Sequence, residues 1–294
     1  MRNMRQLDGQ RPKAYLLKSH RFPTTMTRDS ADWPKVSKHD SVTEAVIIMP
    51  SQLLLSLSIT ALLLSGLTSL AHAGQTETEQ AAELLATFLN AGRVVVEQNQ
   101  SLINDPRKGD KGFTPEVFER SVLEEFSRQT HINLRASPSS LPSSTQALLA
   151  LLLRSSKEVV ADAQFVINQR GIGYKNFIPA TFGSQAARKF SARSKVTIKQ
   201  TALDPRNLHN APDAYERKVL LRLATQPTAS PPVIEWVDGG TTLRVMTPLY
   251  YSEDCLTCHG SPKGILDISG YPREGAQAGA LAGAISIHIP LDHR

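Results

Sequence analysis

The sequence predicts an α+β fold, with helices in the first half of the chain beyond residue 74 and an antiparallel sheet in the second half. Apolar residues recur at helical spacing between residues 76 and 169, whereas later segments alternate apolar and polar residues as half-buried strands do. The strands leave no room for crossover helices between them, which favours antiparallel pairing.

Three helices are predicted before the strands begin. The first covers residues 76–104, and the second begins with Thr114 as its cap and Pro115 in its first turn. The third runs over 144–169 and ends at the Gly-Ile-Gly sequence of 171–173, because glycine readily adopts the conformation that terminates helices. We interpret the apolar faces of all three helices as ordinary core.

The predicted strands follow in the second half. Residues 195–201 alternate as a half-buried strand, and residues 232–249 form a hairpin around the turn Asp238-Gly239-Gly240. A last strand covers 284–289, and Pro290 ends this run. Its alternation places the isoleucines on one face of the sheet.

The charge of the chain is concentrated at its N-terminus. The 294 residues carry a formal net charge of +6. Residues 1–45 hold nine of the 33 basic residues and five of the 27 acidic ones, and residues 46–73 hold neither. The remaining 24 basic and 22 acidic residues nearly balance, so we expect no nucleic-acid partner.

Residues 46–73 have the pattern of a secretory signal peptide. An apolar run follows a basic leader at 1–45, which we expect to be disordered, and Ala71-His72-Ala73 supplies a small-x-small cleavage site. We therefore predict cleavage after Ala73 and a periplasmic location. If the apolar run is not cleaved, it is long enough to anchor the chain in a membrane.

The motif Cys255-Leu256-Thr257-Cys258-His259 is typical of a c-type haem attachment site. Two thiols at this spacing can form thioethers with the two vinyl groups of one porphyrin, and the adjacent imidazole can ligate the iron. The motif predicts one covalently attached haem c per chain, with Cys255 and Cys258 as anchors and His259 as the proximal ligand. The alternatives are a redox disulfide and a zinc site, although the chain has only two cysteines and structural zinc usually takes four ligands.

Several short segments accompany this motif along the chain: Ile178-Pro179-Ala180, Lys199-Gln200-Thr201, the run from Arg206 to Asp213 with Glu216, and Gly283-Ala284-Ile285-Ser286. With them the sequence resembles the periplasmic single-haem c-type domain family with a PAS-like fold, a family largely without an assigned function. The resemblance implies a PAS-like antiparallel five-stranded sheet, with N-terminal helices packed around a c-type haem. It divides the chain into a helical part at 74–175 and a PAS-like haem c domain at 176–294.

The sequence leaves the sixth position of the iron open. His209 is one candidate ligand, because Leu208 stands where the family commonly has proline and a histidine follows it; a polar loop side chain is the simpler interpretation. Met246 offers a thioether, although its place on a strand also suits a core residue. An open or water-bound position is the third alternative.

Arg206 is the candidate partner of a haem propionate, since a guanidinium group matches a carboxylate with two parallel hydrogen bonds. The alternative is a surface ion pair with Glu216 or Asp213.

The predicted function is single-electron transfer, or another redox role, by an exported haem protein. The alternative is a haem-based redox or gas sensor that acts through a separate partner, because relatives in the family occur as the sensing part of signalling proteins. A haem-free interaction domain with a Cys255–Cys258 disulfide is the third hypothesis. We expect a carrier or sensor rather than an enzyme, with a redox or signalling protein as its partner.

Overall fold

The structure of the chain is a computed structural model that describes residues 76–136 and 140–291. The predicted leader at 1–45 and the predicted signal region at 46–73 lie outside these residues. Within the described ranges, no helix is long and apolar enough to cross a membrane.

The first predicted helix is present, with a break near its end. Helix α1 covers residues 76–98, and the one-turn helix α2, Gln100–Ile103, follows after Asn99. Leu85 and Phe88 of α1 are 0% and 1% exposed. The helical spacing of apolar residues therefore identified the buried face of α1 correctly.

Helix α3, Pro115–Thr130, begins where the sequence predicts. The Oγ1 atom of Thr114 accepts a hydrogen bond from the backbone N–H of Val117 at 3.3 Å. Pro115 takes the first helical position, where a missing N–H donor costs nothing.

The third predicted helix is divided in two. Helix α4 covers Ser143–Asp162, and helix α5 covers Gln164–Ile167 after a junction at Ala163. The buried face of α4 includes Leu152 and Val159, which are both 0% exposed.

Two helices longer than one turn lie in the half where only strands are predicted. Helix α6 covers Pro179–Ser191, and helix α7 covers Ala214–Leu223. A capping box begins α7: the Asp213 side chain accepts the Glu216 N–H at 2.7 Å, and the Glu216 carboxylate accepts the Asp213 N–H at 2.9 Å.

Four strands form one antiparallel sheet in the order β1-β4-β3-β2. Their bounds are β1 Thr197–Thr201, β2 Val233–Val237, β3 Thr242–Tyr250 and β4 Leu281–Pro290. Strands β2 and β3 form the predicted hairpin, with Asp238–Gly240 between them. The predicted α+β class and antiparallel pairing are confirmed.

The sheet of the described residues has four strands, whereas the resemblance implies five. The segment after β1 forms a short 3-10 turn, Leu208–Asn210. Pro205 and Pro212 flank this turn, and proline cannot donate to a strand ladder. The PAS-like architecture and the division of the chain at residue 175 remain predictions.

The larger of two apolar clusters lies between the N-terminal helices and one face of the sheet. On β4, Ile285, Ile287 and Ile289 are 0%, 0% and 8% exposed, which confirms the predicted isoleucine face. Because side chains alternate along a strand, Ala284 lies on the other face, where it joins a smaller cluster with Met246 and residues of α7.

Candidate functional site

The cysteine motif lies in the connection between the neighbouring strands β3 and β4. Cys255 precedes a one-turn helix α8, Leu256–His259, in which the N–H groups of Cys258 and His259 reach the Cys255 carbonyl at 3.1 and 3.0 Å. Both cysteines are free thiols and partly buried in this structure, and the disulfide of the third hypothesis remains a prediction. Burial raises the pKa of the Cys258 thiol, and the nearby Asp267 carboxylate raises it further.

The imidazole of His259 is held from one side by a carboxylate. Its Nδ1 lies 2.8 Å from Oε2 of Glu274, and its side chain is 28% exposed. The ring of Tyr251 packs beside it, with 5.1 Å between the ring centroids and an angle of 41° between the planes. Since a carboxylate only accepts hydrogen bonds, Nδ1 is the donor, and in the neutral imidazole Nε2 keeps its lone pair for a ligand.

Arg206 holds Glu274 in place and also bonds to the backbone of the motif. Its Nε donates to Oε1 of Glu274 at 2.7 Å, and its Nη2 donates both to Oε2 of Glu274 at 3.0 Å and to the carbonyl oxygen of Cys258 at 2.9 Å. Its Nη1 donates to Oδ2 of Asp267 at 2.6 Å. Arg206 therefore connects the backbone of the motif to the carboxylate that orients its histidine.

Asp267 anchors the loop that returns Glu274 to the motif. Its Oδ1 accepts the N–H and O–H of Ser269 at 2.8 and 2.6 Å and the N–H of Tyr271 at 3.1 Å. Burial alone would raise the pKa of Asp267, but the hydrogen bonds from Ser269 and Arg206 outweigh it and hold that pKa well below its ordinary value. The same balance holds the pKa of Glu274 below its ordinary value, because Arg206 and His259 donate to it.

A cleft of about 2110 Å³ opens beside the motif. Its walls include Cys255, Cys258 and His259, together with parts of α1, α6, β1 and the segment 202–210. Three apolar or aromatic side chains that line it are largely open to solvent: Leu208 is 82% exposed, Ile268 66% and Tyr271 48%. The cleft is larger than the roughly 300–1,000 Å³ typical of small-molecule pockets.

The two candidate sixth ligands lie in different surroundings. His209 is exposed on the Leu208–Asn210 turn and lines the cleft together with His259. The side-chain Oδ1 of Asn207 accepts the backbone N–H of His209 at 3.1 Å and shapes this turn. Met246 is 0% exposed and belongs to the cluster beneath α7, which corresponds to the core interpretation of this residue.

Neither carboxylate named as the alternative partner of Arg206 contacts it. Asp213 instead accepts from Arg244 at 2.8 Å, and Glu216 accepts from Lys199 at 2.8 Å. Arg206 is ion-paired, as that alternative expected, but the partners named for it are wrong, because Asp267 and Glu274 take its guanidinium group. The propionate role of Arg206 remains a prediction.

Comparison with known proteins places the chain in a family. The model of the family described as Tll0287-like matches residues 71–290, which are 220 of the 294 residues. The chain belongs to the Tll0287-like family. This confirms the resemblance at the level of the family. A solved structure described as "Crystal structure of the cyanobacterial heme-protein Tll0287" is similar at 17% identity and a TM-score of 0.37, over 53% of this chain and 99% of that chain. No curated protein matches.

In this member of the Tll0287-like family, the sequence pattern does not reveal several residues of the site. Glu274 and Asp267 reach Arg206 across 68 and 61 residues of chain, so no local spacing indicates the contacts. Arg93 and Glu97 of α1 also line the cleft, where Glu97 accepts a hydrogen bond from Ser252 at 2.7 Å. Arg93 and Glu97 are four residues apart and therefore lie on one face of a largely apolar helix. Two opposite charges at this spacing could have marked that face as part of a site.

Proposed function

We propose that this chain is an exported c-type haem protein that carries single electrons. One haem c per chain is attached to Cys255 and Cys258, and His259 is the proximal iron ligand. The observation that carries the proposal is the geometry of His259: its Nδ1 is 2.8 Å from a carboxylate, which is the arrangement that orients metal-ligating histidines.

The residues of the cleft fit a haem in three respects. The two thiols needed for thioether bonds are free and line the same cleft as His259. The hydrogen bond to Glu274 leaves Nε2 of His259 as the ligating nitrogen. The exposed side chains of Leu208, Ile268 and Tyr271 supply an apolar lining, which a large planar macrocycle would cover.

When bound, the haem supplies one-electron chemistry between ferric and ferrous iron. The chain's own residues hold the proximal imidazole still. Glu274 fixes the tautomer and orientation of His259, and Arg206 prevents Glu274 from turning away by donating to both of its oxygens. A ligand that keeps its position in both oxidation states favours fast electron transfer, because little reorganisation accompanies the change of charge.

In an electron-carrying form, His209 is the side chain that would hold the sixth position of the iron. Of the two side chains considered, His209 lines the cleft, whereas Met246 is packed in the core. An imidazole on each side of the iron would exclude small ligands, as an electron carrier requires. An open or water-bound sixth position would instead favour the sensor hypothesis, in which nitric oxide or carbon monoxide binds the iron.

The proposal includes export of the chain to the periplasm. The predicted cleavage after Ala73 and the periplasmic location suit a covalently bound haem, since a tethered cofactor cannot be lost outside the cytoplasm. The family match begins at residue 71, close to that site. The partner is a redox protein of the same compartment, and a signalling protein would take its place under the sensor hypothesis.

Haem staining after denaturing electrophoresis tests attachment, and carbon monoxide tests the role. The wild-type band should stain, because thioether-bound haem survives denaturation, and the double variant C255S/C258S should not. The dithionite-reduced wild type should show a low-spin spectrum that carbon monoxide leaves unchanged. An unstained wild-type band would contradict haem attachment, and ready carbon monoxide binding would contradict electron transfer in favour of sensing.

A further inference from the structure

Arg93 of α1 is a cation in the cleft wall that hydrogen-bonds no carboxylate among the residues that the structure describes. Its Nη1 donates to the amide oxygen Oε1 of Gln200, and its Nε is closed off from solvent without a hydrogen-bond partner. The ion-paired cations of the same cleft differ in this respect: Lys199, Arg206 and Arg244 each contact at least one carboxylate. Arg93 therefore keeps a charge that no directly bonded anion neutralises.

Arg93 and Cys255, the first anchor of the motif, line the same cleft. Burial lowers the pKa of Arg93 to about 10, while the neighbouring Cys255 and Glu97 act in the opposite direction. The guanidinium group still carries its charge at neutral pH. Ser252 links the same helix to the motif, because its Oγ lies 2.7 Å from Oε1 of Glu97 and 3.1 Å from Sγ of Cys255.

Gln200 fixes the position of the Arg93 guanidinium. The Nε2 atom of Gln200 donates to the carbonyl oxygen of Ala180 at 2.8 Å and to Oγ of Ser184 at 2.9 Å. A glycine at position 183 is needed for this arrangement, since a Cβ there would lie 2.5 Å from Oε1 of Gln200. Elements α1, α6 and β1 thus hold one cation in place at the cleft wall.

We infer that Arg93 raises the reduction potential of the haem, an inference that rests on the proposed function. One-electron reduction converts ferric to ferrous iron and removes one unit of positive charge from the site. A fixed cation nearby repels the ferric state more than the ferrous state. A unit charge roughly 10 Å from a redox centre, at an effective dielectric constant of about 20, changes such an equilibrium by about tenfold.

The propionates of a bound haem would extend from the edge of the porphyrin opposite to the two vinyl groups. Cys255, which shares the cleft with Arg93, would bond one of those vinyl groups, so we expect the propionates to lie away from Arg93. Glu97 is the opposing charge on the same face of α1, but its carboxylate is bonded to Ser252 in a contact open to solvent. The Ser252–Glu97 contact is open to solvent, whereas the Nε of Arg93 is closed off, so we expect the effect of the cation to exceed that of Glu97.

Spectroelectrochemical titration of the purified holoprotein tests the inference with four variants. Arg93→Met should lower the reduction potential by an amount equivalent to about a tenfold change in the ferrous-to-ferric ratio, and Arg93→Lys should keep most of the wild-type value. Glu97→Gln should raise the potential by a smaller amount. Arg188→Met is the matched control, because Arg188 lines the same cleft but is exposed, and its potential should stay at the wild-type value.

Haem staining and thermal unfolding of each variant distinguish a failure of the role of Arg93 from a failure of haem attachment. A stained, folded Arg93→Met protein with the wild-type potential would overturn the role of Arg93 and leave haem attachment standing. If Arg93→Met does not fold, Arg93→Gln replaces it, since an amide can still bond to Gln200 and carries no charge. Wild-type protein without attached haem would overturn the inference together with the proposed function.

Discussion

Replacing Asp267 with asparagine tests whether the loop behind the motif depends on one buried charge. The Asp267 side chain is 0% exposed, and its two oxygens accept four hydrogen bonds, from Ser269, Tyr271 and Arg206. Asparagine has the same shape but only one oxygen. Its amide nitrogen must therefore face either Arg206 or Ser269, and those donors lose their acceptor.

The expected loss is about 3 kcal/mol in the free energy of unfolding. Removing one partner of a buried ion pair costs about 3–5 kcal/mol. Arg206 is 21% exposed and keeps its bonds to Glu274, which places the expected value at the lower end of that range. An effect of this size is a large part of the total stability of a domain.

The loss should depend on pH in a defined direction. The pKa of folded Asp267 lies well below the ordinary value of 3.8, so its carboxylate stabilises the fold fully above pH 3.8. That contribution is lost as the pH falls below 3.8 and through the folded pKa. The difference between wild type and Asp267→Asn should therefore shrink in acid.

Urea unfolding followed by circular dichroism measures both effects. Asp204→Asn is the control, because Asp204 is exposed in the same segment as Arg206, and it should cost less than about 0.5 kcal/mol. Equal stability of the two variants at neutral pH, or a difference between wild type and Asp267→Asn that persists in acid, would refute the reasoning.

Three further predictions concern the cleft. Glu274→Gln should raise the reduction potential, because the carboxylate strengthens His259 as a donor to ferric iron; a titration that shows a fall or no change would count against this role. Gly183→Ala should lower the free energy of unfolding by about 1–3 kcal/mol, because the new methyl group meets Gln200; an unchanged thermal midpoint would show that Gln200 moves freely. His209→Ala should convert the reduced spectrum to high spin and admit carbon monoxide, and an unchanged spectrum would exclude His209 as the sixth ligand.

Much of the fold could be predicted because the signals are local. Thr114 and Pro115 mark the start of α3, and the alternating isoleucines mark the buried face of β4. Helix α7 carries an equally local signal in the capping box of Asp213 and Glu216. The sequence analysis did not predict α7, because the segments on either side of it have the pattern of strands.

The site could be predicted only in part, for a physical reason. Cys255, Cys258 and His259 lie within five consecutive residues, so their spacing is visible in the sequence. Glu274 and Arg93 act through contacts that the fold creates, and Ser252 meets Glu97 across 155 residues. Such contacts follow from the packing of α1 and the β3–β4 connection, which no short segment of sequence encodes.

The intact mass of the purified, denatured polypeptide tests the central claim most directly. The protein should be produced in a host that attaches c-type haem to exported proteins. The mass of the polypeptide should be increased by that of one haem, and one tryptic peptide should carry the added mass on Cys255 and Cys258. A polypeptide at the mass of the apoprotein, with both thiols free to react with an alkylating reagent, would contradict it.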